Sequence, residues 1–206
     1  MLEGITLKFV LAVVIAYCLG CISPSTLLGR ARGIDIKKSG SGNAGTTNAL
    51  RVMGAKAALI TVIIDIGKGV AAVLIAEQLG GRSAAYAAAF AAFLGHIWPI
   101  FLKFKGGKGI AVAFGVVVTL NPLLGLSLLG LIIVVVLITR RVSFGSILDA
   151  VAFPVLCWFM EPKFIGYSIV MACIVLFKHR SNIQRLLRGE EDPISLKWLH
   201  GDQKNK

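Results

Sequence analysis

The chain has 206 residues, of which 56% are hydrophobic and only 16% charged, and its mean hydropathy is +0.82. That balance excludes an ordinary soluble domain and places the chain in a bilayer. The net charge of +12 would point to nucleic acid in a soluble protein. Here the basic residues lie between apolar segments, where they set topology and attract anionic headgroups, so membrane lipids are the expected surroundings and nucleic acid is excluded.

The first apolar segment runs from about Ile5 to Leu28 and reads as a retained span, because it has neither a basic start nor an A-x-A cleavage site. Leu19-Gly20-Cys21 only faintly resembles a lipoprotein box, since Cys18 stands where an aliphatic residue belongs. A polar island follows, SGSGNAGTTNALR from Ser39 to Arg51. Such a stretch cannot sit in hydrocarbon, so it lies at a membrane surface or lines a wet cavity. Gly40, Gly42 and Gly45 permit close backbone approach. Ser41, Asn43, Thr46, Thr47 and Asn48 offer short polar groups, and the Arg51 fork matches phosphate.

The second span, Ala55 to Leu79, carries Asp65 and Lys68 three residues apart on one helical face. Pairing lowers the cost of charge at membrane depth, and the pair is read either as a structural link or as part of the site. Ala84 to Ala92 is a run of small residues that lets a third helix approach its neighbours closely. That helix reaches His96, Trp98 and Pro99 and gives way to FLKFKGGKG, Phe101 to Gly109. A short fourth segment, Gly109 to Leu120, begins at those glycines and would aim free N–H groups at whatever lies beside Lys108. The fifth span starts after Asn121-Pro122 and ends at Arg140-Arg141. The sixth runs from Ser143 to Met160 and the seventh from Phe164 to Phe177. The chain closes with KHRSNIQRLLRGEED, where His179, Asn182 and Arg185 share one face of any helix, and a polar tail containing His200. GKGVAAV from Gly67 resembles GKGIAVA from Gly107, but seven residues are too few for a duplicated fold.

The expected fold is an all-α integral membrane protein, one polytopic domain over 1–206 with about seven transmembrane helices, some short or interrupted. Seven crossings put regions of about 30–55, 102–110, 140–146 and 178–206 on one side, which together with Lys56 at its edge carries eighteen of the 22 Lys and Arg. That side is therefore cytoplasmic and the amino terminus lies outside.

Gly106-Gly107-Lys108-Gly109 is attractive for phosphate, yet the GxxxxGK-[ST] spacing of a nucleotide-hydrolysing loop is absent. No Ser-His-Asp set and no HxxxxD box can be read, since Phe101 stands five residues after His96. Cys18, Cys21, Cys157 and Cys173 lie in apolar segments, and the one C-x-x-C spacing, Cys18 to Cys21, sits inside the first span with no second pair to match it, so no metal site, cofactor or disulfide framework is expected. The carboxylates read as nearest the site are Asp35, Glu190, Glu191 and Asp192. Arg51, Lys108, His179 and either Arg180 or Arg185, gathered on one side, suit a substrate with more than one phosphate. Catalysis there is electrostatic and positional. An alternative of another class is a secondary transporter for a phosphorylated or anionic metabolite, which would use charges at depth and interrupted helices.

GSGNAGTTNALR, then GHIWPIFLKFKGGKG, then KHRSNIQRLLRGEE, in that order and separated by apolar spans, resemble the three signature regions of the bacterial membrane acyl-phosphate:glycerol-3-phosphate acyltransferase. The likeness extends to DxxKG at Asp65 to Gly69. It implies a multi-pass enzyme of the bacterial inner membrane with its active site facing the cytoplasm. The enzyme would move a fatty acyl group from an acyl phosphate to the 1-hydroxyl of glycerol 3-phosphate, giving lysophosphatidic acid and phosphate. It further implies Ser41, Asn43 and Arg51 from the first motif, the glycerol-phosphate loop Gly106, Gly107, Lys108 and Gly109 from the second, and His179 and Asn182 from the third. Glu191 would be structural, a serine at the start of the sixth helix, Ser143 or Ser146, would contact substrate, and the soluble enzyme that makes acyl phosphate would be a partner. Thr46 departs from the family's frequent alanine, a tolerable change beside glycine.

Overall fold

The computed structural model describes residues 7–195, and among these every regular element is helical. The start of the first span at Ile5 and His200 in the tail lie outside the described residues.

Helix α1 (Leu7–Gly20) and helix α2 (Pro24–Ala31) share one apolar run, yet they are separate helices. Pro24 has no N–H to continue the ladder and instead opens α2, so the expected unbroken span from Ile5 to Leu28 divides at Cys21–Ser23. The polar island is only half loop. Its second part forms α3 (Thr46–Met53), which carries Asn48 and Arg51.

Helix α4 (Ala55–Ile97) covers both the second and third expected spans and breaks at Gly80–Gly81, where Gly81 adopts a positive φ of 69°. A residue with a Cβ would be strained there. Beyond the break, Ala84, Ala85, Ala88, Ala89 and Ala92 are fully buried, and Gly20 of α1 lies directly against the Ala92 carbonyl. Hydrocarbon offers no hydrophobic drive between helices, so close approach of small residues supplies the packing.

A single 3₁₀ turn at Ile100–Leu102 leads to the glycine loop and then to α5 (Ile110–Leu120), apolar but only 11 residues long. Helix α6 (Pro122–Thr139) is capped by Asn121, whose side chain accepts from Leu124 N at 3.0 Å. After the Arg140–Arg141 reversal come α7 (Val142–Met160) and α8 (Ile165–Lys178). Helix α9 (Arg180–Leu187) departs from α8 at 59°, with His179 at the break.

Among the described residues, four helical runs are long and apolar enough to cross a membrane, or five if the bent α8–α9 pair counts as one. They are Leu7–Ala31, Ala55–Leu102, Pro122–Thr139 and Val142–Met160. Breaks and short helices thus do more to shape this bundle than the hydropathy pattern implies.

Candidate active site

A cavity of about 620 Å³ opens where α3, the start of α5, the start of α7 and the α8–α9 break converge. That volume suits a small-molecule site. Its polar head is built from Ser41, Asn43, Arg51, Lys108, Ser143, His179, Asn182, Arg185 and Glu191. Its lining continues along Ile110 to Val117 of α5 and Ser143 to Phe153 of α7. At 1.5 Å per residue those runs extend roughly 10 and 15 Å from the head. Leu128, Leu129, Ile132, Met171 and Val175 complete an apolar throat.

Glu191 holds the head together. Its carboxylate accepts from Ser143 Oγ at 2.5 Å, Asn182 Nδ2 at 2.6 Å and Arg185 Nε at 2.6 Å, while its carbonyl accepts from Arg141 Nε at 2.9 Å. Burial raises the affinity of that carboxyl for a proton, but the three donors outweigh it and hold the group below the usual carboxylate range. Asn182 turns its amide oxygen to Lys108 Nζ. Lys108 is thus bonded to a neutral acceptor, with the Glu191 carboxylate acting on it only from a distance, and its charge faces the cavity. Burial, then Arg185, Arg51 and Lys178, bring its pKa down to about 8 against the opposing pull of Glu191.

His179 is buried, with Nδ1 2.9 Å from Val175 O. A carbonyl only accepts, so Nδ1 carries the hydrogen, and Nε2 is the atom left for a ligand. Arg51 faces Asp192 at 4.0 Å across an exposed partner. Ser146 also lines the cavity, but its hydroxyl bonds to Val142 O in its own helix at 2.9 Å. Of the two serines, Ser143 is the one connected to the polar head.

Several residues stand elsewhere than expected. Gly106 and Gly107 do not line the cavity, and their N–H groups are spent on Ile97 O and His96 O, both at 3.1 Å. They support Lys108 from behind, and from that loop only Lys108 and Gly109 reach the cavity. Asn48, one of the short polar groups of the island, borders the cavity but is buried and committed to scaffold bonds: Nδ2 donates to Ile36 O and Ser39 O, both at 3.0 Å, and Oδ1 accepts from Ser41 N at 2.8 Å. Arg180 turns away to stack over Phe177, leaving Arg185 as the arginine of the third motif at the cavity. Asp35 accepts from Lys37 N at 3.0 Å and lies outside the cavity lining.

The Asp65–Lys68 pair forms at 2.8 Å, as its spacing predicts, and Asp65 lines the cavity. Two residues escaped the sequence reading. His96 joins that pair and also lines the cavity, and Asp149 reaches the throat from α7. A helical histidine 28 residues from Lys68 leaves no local trace. The only signal for Asp149 was a carboxylate inside an otherwise apolar span.

Fold and cavity together define a multi-pass membrane protein whose interior joins a cationic head to an apolar throat. The glycerol-3-phosphate acyltransferase family model matches residues 10–189. A glycerol-3-phosphate acyltransferase of Thermoanaerobacter pseudethanolicus is 48% identical over 192 residues, covering 91% of this chain and 96% of the relative. Two crystal structures of PlsY, an integral membrane glycerol 3-phosphate acyltransferase, superpose closely. Its glycerol 3-phosphate form gives a TM-score of 0.86 at 32% identity over 91% of this chain and 96% of that one. Its lysophosphatidic acid form gives 0.84 at 31% over 93% and 98%. The chain therefore belongs to the glycerol-3-phosphate acyltransferase family, and it is an acyltransferase of phospholipid biosynthesis. The transporter alternative is set aside by that membership.

Proposed function

We propose that this enzyme transfers a fatty acyl group from an acyl phosphate to the 1-hydroxyl of glycerol 3-phosphate. The products are lysophosphatidic acid and inorganic phosphate, and no protein group is acylated. The observation that carries the reading is the cavity's composition. A head with Arg51, Lys108 and Arg185 suits two phosphates side by side, and the throat suits a hydrocarbon chain. Glycerol 3-phosphate acyltransferase structures in substrate and product forms superpose on this fold and support the acceptor.

In this reading the phosphate charges are received by Lys108, Arg51 and Arg185, which offset their mutual repulsion. His179 Nε2 and Asn182 orient the acceptor, with Ser41, Asn43 and Ser143 as further contacts. The acceptor's 1-hydroxyl oxygen forms a bond to the acyl carbonyl carbon as the carbon–oxygen bond to phosphate breaks. The leaving phosphate keeps that electron pair and takes the hydroxyl proton. Phosphate is a good leaving group, so little covalent chemistry is asked of the protein. Ser143, bonded to Glu191, is the residue that a covalent route would use.

The proposed topology has seven crossings, counting both halves of α4, with the amino terminus outside and the cavity head at the cytoplasmic face of the inner membrane. The basic surroundings of the head support it. A soluble acyl-phosphate-forming enzyme would deliver the donor from that side.

The test is acyl transfer by purified protein, with glycerol 3-phosphate and either palmitoyl phosphate or palmitoyl-CoA. Lysophosphatidic acid from the acyl phosphate alone is expected. Product only from the thioester overturns the donor, and a labelled acyl group trapped on Ser143 overturns the direct route.

A further inference from the structure

Three ionisable side chains meet within α4 at a place where hydrocarbon would otherwise surround them. Lys68 Nζ lies 2.8 Å from Asp65 Oδ1, 3.0 Å from His96 Nδ1 and 2.5 Å from Ile22 O. His96 Nδ1 is also 3.4 Å from Asp65 Oδ1, and all three side chains are buried. The Lys68 ammonium hydrogen-bonds Ile22 O and His96 Nδ1 and is ion-paired with Asp65, whose Oδ1 has no hydrogen-bond partner of its own among the described residues. Pairing accounts for charge persisting at such depth but not for the cluster's position.

Its position is informative because the cluster touches the supports of both cationic segments. Ile22 O belongs to the turn that leads into α2. The residue after that helix, Arg32, donates through Nη1 to Met53 O at 3.0 Å, two residues past Arg51. On the other side, His96, in the last turn of α4, seats the glycine loop. Its carbonyl accepts from Gly107 N at 3.1 Å, and the Ile97 carbonyl accepts from Gly106 N at 3.1 Å. A Cβ on Gly107 would lie 2.1 Å from His96 Nε2, so the imidazole occupies the space a side chain would need. Gly107 is therefore a glycine for room, and Lys108 follows it directly. Asp65 and His96 themselves border the cavity.

We propose that Lys68 is a positioning residue which, through Asp65 and His96, sets where the Lys108 loop sits relative to the segment bearing Arg51. The spacing of those two cations is what a pair of phosphates must match. An error of an ångström in such spacing costs about two orders of magnitude in a positioned reaction. The inference rests on the reading of the cavity head as a phosphate site.

The experiment compares Lys68→Met with the double variant Asp65→Asn/Lys68→Met, measuring the thermal midpoint in detergent, the Kd for glycerol 3-phosphate, and KM and kcat for acyl transfer. The single variant leaves the buried Asp65 carboxylate without its cation, beside His96 only, and lowers the midpoint. The double variant removes both charges, and replacing a buried pair in concert is far less costly than breaking it. The expected result is that the double variant recovers most of the midpoint, yet its Kd and KM for glycerol 3-phosphate stay about tenfold or more above wild type and its kcat/KM falls by about two orders of magnitude. Recovery of both stability and affinity would make the cluster a structural link only and overturn the proposal. Wild type that binds glycerol 3-phosphate without forming product would overturn the reaction proposed above while the Kd comparison still decides this one. If wild type does not bind it, inorganic phosphate is the probe in the same comparison, and unaltered affinity in both variants overturns the proposal.

Discussion

The two ends of the bundle carry similar ingredients and put them to different ends. At the end away from the cavity head, Arg82 bonds to Glu77 at 3.4 Å, to Glu161 at 3.3 Å and to the Leu120 carbonyl, and Tyr86 donates to Glu161. Asn121 adds bonds to Met160 O at 2.8 Å and Glu161 Oε2 at 3.3 Å. This cluster staples α4 to the α5–α6 and α7–α8 turns, and none of its members lines the cavity. Its arginine is matched by carboxylates. At the head, Lys108 is bonded to an amide oxygen, and the Glu191 carboxylate is occupied by three other donors. A polar cluster in a membrane protein thus records saturation. A cation left facing a cavity with a neutral partner records readiness for an anion.

The largest expected effect breaks that contrast at its centre. Lys108→Met keeps most of the unbranched side chain and removes the charged end, and should lower kcat/KM for glycerol 3-phosphate by about 10²–10³-fold, as loss of one transition-state donor does elsewhere. Steady-state transfer at pH 7 measures it. A loss below tenfold would make Lys108 a scaffold cation like Arg82.

The same lysine gives a pH dependence. With a folded pKa lowered to about 8, Lys108 is charged below that value and loses its proton as pH rises through it. KM for glycerol 3-phosphate should therefore climb on the alkaline side of about 8. Glu191→Gln removes the carboxylate that favours the charged form, so the limb should move to lower pH. A profile flat to pH 10 would contradict the lowered pKa of Lys108.

Much of this site is legible along the chain because its residues sit in short, locally unusual stretches. Arg51, Lys108, His179 and Asn182 all come from polar or glycine-rich segments, and all border the cavity. The Asp65–Lys68 pair follows from a spacing of three on a helix. What local pattern does not carry is the partner supplied by another helix. Gly107 looks like a ligand loop until His96 is seen filling its side-chain space, and Asn48 looks like a ligand until its amide is seen spent on Ile36 and Ser39. The fold shows the same division. Asn121-Pro122 announces the start of α6, whereas the break between α1 and α2 hides inside one hydropathic run.

The far-end staple sharpens the comparison from the opposite direction. Glu161→Gln weakens the match to Arg82 and should lower stability by about 1–3 kcal/mol, seen as a lower thermal midpoint, while KM for glycerol 3-phosphate stays unchanged. A raised KM with no loss of stability would mean that the two ends communicate and that the staple belongs to the site.

The smallest effect concerns Asp149, which lines the apolar throat with Oδ1 buried and without a hydrogen-bond partner. An unsatisfied buried polar atom costs about 1–3 kcal/mol, so Asp149→Leu should raise the thermal midpoint. If the throat holds only hydrocarbon, the leucine variant also transfers palmitate from palmitoyl phosphate as well as wild type. A stabilised variant that loses transfer would extend the working polar surface along α7 beyond Ser143 and Ser146. The boundary between cationic head and apolar throat would then lie deeper than the ring of charges around Lys108.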